Sequence, residues 1–250
     1  MDSSLLAITG MSFVLSFIFA LGGVGSALVL IPAITWLGLP FAQARSIGLF
    51  VNTVSMMGAT WSNFRQKRLD YRLGLPIIIA SIILAPIGAW VGIHVPTKYV
   101  MYAFVTFLSF SGLMILFFNG SKFKDQYRED RPVTGPLLTG IGSGFLSGLL
   151  GVGGGGLISP LMIVQGFNPK KVAMVTAFAV PFSSFTAFLA YATMGSVSWK
   201  ILLFAGAAAW AGGYLGTIVM QKNMRPAAVR KLLGGMLILL AGRMIQKMLL

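Results

Sequence analysis

Long apolar runs recur along the chain, and each could cross the hydrocarbon core of a membrane, which takes about 20 helical residues. In the first half the runs are Leu5–Leu39, Phe41–Phe64, Leu73–Val95 and Lys98–Phe118. In the second half they are Val133–Phe167, Lys170–Met194, Trp199–Met220 and Pro226–Lys247. A polar stretch separates the halves. The pattern predicts an all-α polytopic membrane protein.

Two of these runs, Leu5–Leu39 and Val133–Phe167, are interrupted by glycines. The later break reads LLGVGGGGLISPL over Leu149–Leu161, with five glycines in six residues, and the earlier one reads LGGVGSALVLIP over Leu21–Pro32. Glycine weakens a helix, and irregular backbone at membrane depth survives only where it is buried in protein or lines a wet cavity. We therefore predict a re-entrant or discontinuous helix at each break.

The pattern contains two copies of one unit. Placing Gly23 on Gly151 aligns the two interrupted runs, and a slightly smaller shift aligns a glycine pair in the third run of each half. The aligned residues are Gly23 with Gly151, Gly25 with Gly153, Pro32 with Pro160, Gly88 with Gly212, and Gly92 with Gly216. We predict a first membrane repeat over residues 1–118, a cytoplasmic linker over 119–132 and a second membrane repeat over 133–250.

Charge placement bears on how the two repeats are oriented. If each broken run is a re-entrant hairpin followed by three spanning helices, the halves are inverted; if it crosses the membrane once, they are parallel. With the Arg65–Arg72 connection in the cytoplasm, the inverted arrangement places 14 of 19 basic residues inside and 5 outside. The parallel arrangement places 11 inside and 8 outside. Because cytoplasmic connections are enriched in Lys and Arg, the inverted arrangement is favoured.

Composition excludes several classes of function. The chain has 250 residues and only 10% are charged, against about 25% in soluble domains. Its net charge is +14, but the basic residues lie mainly in connections, so we expect no nucleic-acid partner. It has no cysteine and one histidine, and its five acidic residues all lie outside the apolar runs. We therefore expect a non-enzyme without metal or cofactor, retained as a multi-pass protein of a bacterial-type inner cell membrane.

The glycine breaks are the main candidates for a binding site. A helix that begins inside the membrane exposes free N–H groups and the positive end of its dipole, which suit an anion. Hydroxyl and amide side chains in the second run of each half would add donors. The candidate residues are Gly23, Gly25, Ser26, Asn52, Gly153, Gly154, Gly155, Gly156, Thr176, Ser183 and Ser184. Each also has a structural interpretation, because glycines allow tight helix packing and Ser or Thr can bond their own helix.

Three further residues, Gln43, Arg45 and His94, lie near the ends of predicted spans. Arg45, with Gln43, could form a basic vestibule, although a solvated arginine is the simpler expectation. His94, beside Pro96, is expected to cap a helix or lie at the membrane interface rather than relay protons. The pairs Gly88/Gly92 and Gly212/Gly216 are expected to pack helices closely.

The chain resembles the sulfite exporter TauE/SafE family over essentially its whole length. The resemblance rests on GGVGSALVLIP and GVGGGGLISP, on the stretches AQARSIGLFVNT and KKVAMVTAFAVP that follow them, and on eight hydrophobic stretches. It implies export of a small oxidised-sulfur anion or an organosulfonate. Ser26, Ala27 and Leu28 replace three glycines of the fuller copy, so the half-sites are unequal. A passive anion channel and a non-transporting scaffold remain alternatives, and an oligomer is possible.

Overall fold

The computed structural model describes residues 3–117, 130, 132–192, 198–223, 235, 238–239 and 241–246. All regular structure in these residues is helical, which confirms the all-α prediction. The helices are α1 (Ser3–Ala20), α2 (Ala27–Trp36), α3 (Phe41–Arg65), α4 (Tyr71–His94), α5 (Thr97–Phe117), α6 (Thr134–Leu150), α7 (Gly155–Val164), α8 (Pro169–Ala192) and α9 (Trp199–Asn223). Residues 241–246 are also helical, and Ala241 and Met244 join the core.

Three helical segments combine the length and apolar composition needed to cross a membrane: Tyr71–His94, Lys171–Ala192 and Trp199–Met220. Helix α3 spans the predicted run Phe41–Phe64 but carries several polar residues. The predicted linker 119–132 lies outside the described residues except for 130 and 132. Of the predicted run Pro226–Lys247, only 235, 238–239 and 241–246 are described.

The outer surface is rich in large apolar side chains. Leu203 is 70% exposed, Leu138 67%, Trp90 62% and Ile79 57%. The buried interior, in contrast, includes many hydroxyls as well as Asn52. Soluble proteins rarely expose apolar patches on this scale, so the distribution is that of a protein whose surface faces lipid.

The offset that places Gly23 on Gly151 also relates the helices of the two halves. Helices α2, α3 and α4 begin at Ala27, Phe41 and Tyr71, while α7, α8 and α9 begin at Gly155, Pro169 and Trp199. The positive φ angles recur as well, at Gly23, Gly25 and Gly38 and then at Gly151, Gly153 and Gly166. The two glycine breaks therefore share a backbone conformation that residues with a Cβ rarely adopt.

The predicted alignment of Gly88 with Gly212 is wrong by one helical turn. A Cβ at Gly88 would overlap the Phe145 carbonyl, and a Cβ at Gly216 would overlap the Phe17 carbonyl. Because Phe17 and Phe145 are equivalent at the offset of the glycine breaks, Gly88 corresponds to Gly216. The packing role expected for these glycines is confirmed, since each brings two helix backbones into contact.

Helices α3 and α8 cross at the centre of the molecule and run antiparallel. The contacts that show this are Arg45 with Tyr191, Asn52 with Ser184, and Thr60 with Ala177. On either side of this crossing, other helices run parallel to their neighbours. Helix α6 follows α4, with Gly140 beside Ile77 and Gly148 beside Ala85, and α1 follows α9, with Phe13 beside Gly212 and Phe17 beside Gly216.

The chain reverses direction at each glycine break. Helix α2 runs antiparallel to α3, because Gly25 lies against Asn52 whereas Gly48 lies against Ile31. Helix α7 runs antiparallel to α8 in the same way, with Gly153 beside Ser184 and Ser159 bonded to Thr176. Helices α1 and α2, and likewise α6 and α7, therefore form hairpins whose tips are the glycine segments.

Candidate functional site

The tips of the two hairpins meet each other at the crossing of α3 and α8. A Cβ at Gly155 would overlap the Val24 carbonyl oxygen and lie 2.7 Å from its carbon. A Cβ at Gly23 would lie 2.7 Å from the carbonyl oxygen of Ala173 on α8, and Gly151 lies against the side chain of Arg45 on α3. Several glycines of the breaks thus allow the tips to touch, so that close packing and a candidate site occupy the same place.

Asn52 is fully buried between the two breaks. Its Oδ1 accepts a hydrogen bond from the Ala27 N–H at 3.4 Å, and its Nδ2 donates to Ser184 Oγ at 2.9 Å. A Cβ at Gly25 or Gly153 would overlap the Asn52 amide. This single side chain therefore links both hairpin tips to the α3–α8 crossing, and glycine is required on both sides of it.

Ser26 precedes α2 as its N-cap residue but makes no side-chain capping bond. Its Oγ instead accepts a hydrogen bond from Ser16 Oγ on α1 at 3.2 Å. The first N–H of α2 is satisfied by Asn52, as a cap would do. One of the free N–H groups at the start of α2 thus finds its acceptor within the protein.

The start of α7 resembles that of α2, where the N–H groups of Gly25, Ser26 and Leu28 also have no acceptor within the described residues, except that no side chain takes the place of Asn52. No acceptor within the described residues pairs with the N–H groups of Gly153, Gly154, Gly155 and Gly156, and all four residues are buried. The Oγ of Ser143 is likewise buried without a partner, and its Cβ lies 3.5 Å from the position of a Cβ at Gly154. Buried N–H groups without acceptors are rare and costly, so this cluster of donors calls for a ligand or ordered water.

Thr176 and Ser183 make hydrogen bonds that stabilise the helices and their packing. Thr176 Oγ1 pairs with Ser159 Oγ at 3.2 Å and joins α8 to α7. The Ser183 hydroxyl donates to the Val180 carbonyl of its own helix at 3.1 Å. Of the predicted side chains, Ser26, Asn52 and Ser184 lie at the breaks and make hydrogen bonds between elements.

Arg45 is not a solvated arginine, and that expectation is wrong. It lies in the second turn of α3 and is only 4% exposed. Its Nη1 donates to Tyr191 Oη at 3.0 Å, and the Tyr191 hydroxyl donates to the Gly148 carbonyl at 2.8 Å. Its guanidinium stacks 5.0 Å from the Phe41 ring and 4.5 Å from the Tyr191 ring.

One sequence feature could have indicated that Arg45 belongs with the candidate site: its spacing from Asn52. Asn52 follows Arg45 by close to two helical turns, which places both on one face of α3. Tyr191 gave no comparable signal, because it meets Arg45 only through the crossing of α3 and α8.

The family model for the sulfite exporter TauE/SafE family matches residues 8–244. The chain belongs to this family. It is 26% identical to the "Probable membrane transporter protein YunE" of Bacillus subtilis over 225 residues, covering 80% of this chain and 82% of that protein. It is 24% identical to the "Probable membrane transporter protein MJ0441" of Methanocaldococcus jannaschii over 250 residues, covering 93% and 91%.

A shorter match links this TauE/SafE protein to the "Sulfite exporter TauE/SafE family protein 5" of Arabidopsis thaliana. It is 32% identical over 80 residues, covering 32% of this chain and 18% of the plant protein. No solved structure matches. Family membership and the apolar helices together identify a membrane transporter of the TauE/SafE type.

His94 and the Lys171–Asp70 pair of this TauE/SafE protein lie at helix ends. His94 is exposed in the last turn of α4, where its Nδ1 bonds with the Trp90 carbonyl at 2.8 Å, as expected of a capping residue. Lys171 pairs with Asp70 at 2.9 Å, and Asp70 also accepts from the Leu73 N–H as the N-cap of α4. Within the described part of the chain, no three His, Cys, Asp or Glu residues cluster in a way that could hold a metal ion.

Proposed function

We propose that this protein exports a small oxidised-sulfur anion or an organosulfonate across the cell membrane, and that the anion binds where the two hairpin tips meet. The observation that carries the proposal is the group of four consecutive buried N–H groups at Gly153, Gly154, Gly155 and Gly156. The sulfonate or sulfite oxygens would accept these bonds together with those of nearby side chains.

The chemistry of the tips favours an anion over a cation. Backbone N–H groups at a helix start and the positive end of the helix dipole both stabilise negative charge. The unpaired hydroxyl of Ser143 adds a donor that can turn towards a ligand, and Asn52 with Ser184 completes a neutral polar wall. None of the described acidic residues lies at this place, where a cation or a proton would need one.

We propose further that the two halves are inverted repeats. The equivalent helices α3 and α8 run antiparallel. In addition, α1 packs parallel to α9 of the other half, and its equivalent α6 packs parallel to α4 of the other half. These directions agree with the charge count, which places the beginning of α8 in the cytoplasm. The repeats would occupy residues 1–118 and 133–250, with a cytoplasmic linker between them.

Flux of sulfite in proteoliposomes tests transport directly, with methanesulfonate as a competitor. A transporter gives saturable uptake that methanesulfonate inhibits, whereas a channel gives uptake that does not saturate and a scaffold gives none. Lack of uptake for both anions would refute the proposal. Uptake that stays linear with concentration would replace it with the channel.

Asn52→Ala tests the location of the site, with Thr53→Ala as a matched control on the same helix. The Thr53 hydroxyl is also buried but bonds only to the Leu49 carbonyl of its own helix, at 2.8 Å. Removal of the Asn52 amide leaves the Ser184 hydroxyl and the Ala27 N–H without their partner. Because unpaired buried polar groups are costly, we expect the packing of the two tips to lose about 1–3 kcal/mol of stability. We expect a large fall in uptake for Asn52→Ala and little change for Thr53→Ala.

A further inference from the structure

Arg45 carries a full positive charge in the interior of the protein. It is 4% exposed, and the described part of the chain places no carboxylate against it. Its Nε–H is buried and has no acceptor among the residues that the structure describes. A charge inside a membrane protein is costly unless it has a partner, which is why such residues usually mark the path of a substrate or an ion.

The partners that Arg45 does have balance its charge only in part. The rings of Phe41 and Tyr191 provide cation–π contacts. The Tyr191 hydroxyl, which accepts from Nη1, is held in turn by the Gly148 carbonyl near the end of α6. A helix C-terminus carries only about half a negative charge. Among the described residues, no carboxylate balances the remaining charge and no acceptor pairs with the Nε–H.

The position of Arg45 relates it to the bare amides of α7. Its Cδ would lie 2.8 Å from a Cβ at Gly151, so the side chain passes directly over the second glycine break. Gly153, the first residue with an unpaired N–H, follows shortly after Gly151 in the chain. Arg45 and the amide cluster therefore border the same hairpin tip, one with a formal charge and the other with neutral donors.

We infer that Arg45 is the charge-recognition residue of the transport site, and that it binds an anionic oxygen of the substrate through its free Nε–H. Tyr191 is a positioning residue that orients the guanidinium. This inference rests on the proposed function and adds the source of its selectivity for negative charge. The planar fork of arginine suits sulfite and sulfonate oxygens, which a lysine would contact only as a point charge.

The test compares Arg45→Gln, Arg45→Lys and Tyr191→Phe with the control Arg65→Gln. Arg65 is the last residue of α3 and also stacks on an aromatic ring, that of Trp61 at 5.9 Å, but it is exposed. The readout is the KM for sulfite uptake in proteoliposomes, together with the thermal stabilisation of the detergent-solubilised protein by sulfite. The apparent Tm without sulfite reports any purely structural damage.

Loss of a charged hydrogen bond weakens binding by about 10- to 100-fold. We expect Arg45→Gln to raise KM by about that factor and to abolish stabilisation by sulfite, while Arg65→Gln leaves both unchanged. Arg45→Lys should give a smaller rise, since it keeps the charge but loses the fork, and Tyr191→Phe should raise KM while retaining some stabilisation. If Arg45→Gln does not fold, Arg45→Lys decides in its place.

Two outcomes separate the inference from the function on which it rests. Wild-type protein that takes up neither sulfite nor methanesulfonate refutes the proposed function. Wild-type protein that takes up sulfite, with unchanged KM in folded Arg45→Gln or Arg45→Lys, refutes the role of Arg45 alone. A lowered Tm with unchanged KM and stabilisation would make Arg45 structural and would also overturn the inference.

Discussion

Replacing Gly155 by alanine should separate the two hairpin tips. Its Cβ would overlap the Val24 carbonyl oxygen, and the atom beyond, the Val24 carbonyl carbon, would be only 2.7 Å away. Both are backbone atoms of the other hairpin and cannot turn aside as a side chain can. The neighbouring Gly154 is a matched control, because it lies in the same break and has an ordinary helical φ of −69°.

The structure gives opposite expectations for the two alanines. At Gly154 the nearest atoms to a Cβ are the Ile158 Cδ1 at 3.3 Å and the Ser143 carbonyl oxygen at 3.4 Å, so a small shift of one flexible side chain is enough. Overpacking at Gly155 should cost about 1–3 kcal/mol. Alanine in place of a glycine such as Gly154, whose backbone conformation suits alanine, should instead stabilise the protein by about 0.4–1 kcal/mol.

Thermal unfolding in detergent at one fixed scan rate measures this difference. For a chain of this size, 1 kcal/mol corresponds to about 2–4 °C, so Gly155→Ala should lower the apparent Tm by about 2–12 °C. Gly154→Ala should leave it unchanged or slightly raised. Equal effects of the two substitutions would show that the tips do not meet at Gly155, and the account of the site would then be wrong.

Three other predictions concern topology, a connecting ion pair and energy coupling. Single cysteines at Lys171 and Lys200, in a chain that has no cysteine of its own, should be labelled from opposite membrane faces; labelling of position 171 from outside would exclude the inverted topology. Asp70→Asn keeps an N-cap but loses its pair with Lys171, so we expect at most about 1 kcal/mol of destabilisation in thermal unfolding, and a larger loss would show that this ion pair contributes more to stability than exposed pairs do. Sulfite flux should follow the membrane potential rather than the pH gradient and should be unchanged in His94→Gln, whereas a pH-gradient dependence that this variant removes would identify His94 as a coupling residue.

Local properties of the chain predicted most of the fold. Apolar runs predicted the helices, and the glycine runs predicted the breaks: α2 begins at Ala27 and α7 at Gly155, inside the predicted breaks Leu21–Pro32 and Leu149–Leu161. The offset between the two breaks also held for the helices that follow them. Comparing glycines in α4 and α9 misplaced the register by one turn, because small residues every four positions match equally well at several shifts.

Contacts between distant segments could not be predicted in the same way. That Gly155 meets Val24, and that Asn52 reaches both breaks, depends on how the hairpins dock against α3 and α8. Sequence pattern also cannot tell a buried arginine from a solvated one near a helix start. Arg45 is buried because an aromatic residue on the same helix and Tyr191 on α8 cover its charge.

The internal symmetry relates Arg45 to an uncharged residue at the equivalent position of the other half. Gly23 lies against Ala173 as Gly151 lies against Arg45. Gly23 is the repeat equivalent of Gly151, and Arg45 is that of Ala173, so one tip faces an alanine where the other faces a charge. If the beginning of α8 is cytoplasmic, Ala173 lies on the inner side of the site and Arg45 on the outer side. An anion leaving the cytoplasm would then move from neutral donors towards a fixed positive charge. The membrane potential favours the same direction by about 2.3 kcal/mol per charge per 100 mV, which is roughly a fortyfold gradient. Under the proposed export, the membrane potential and the anion gradient would drive the flux, and the asymmetry between the half-sites would place the fixed charge on the outer side of the site.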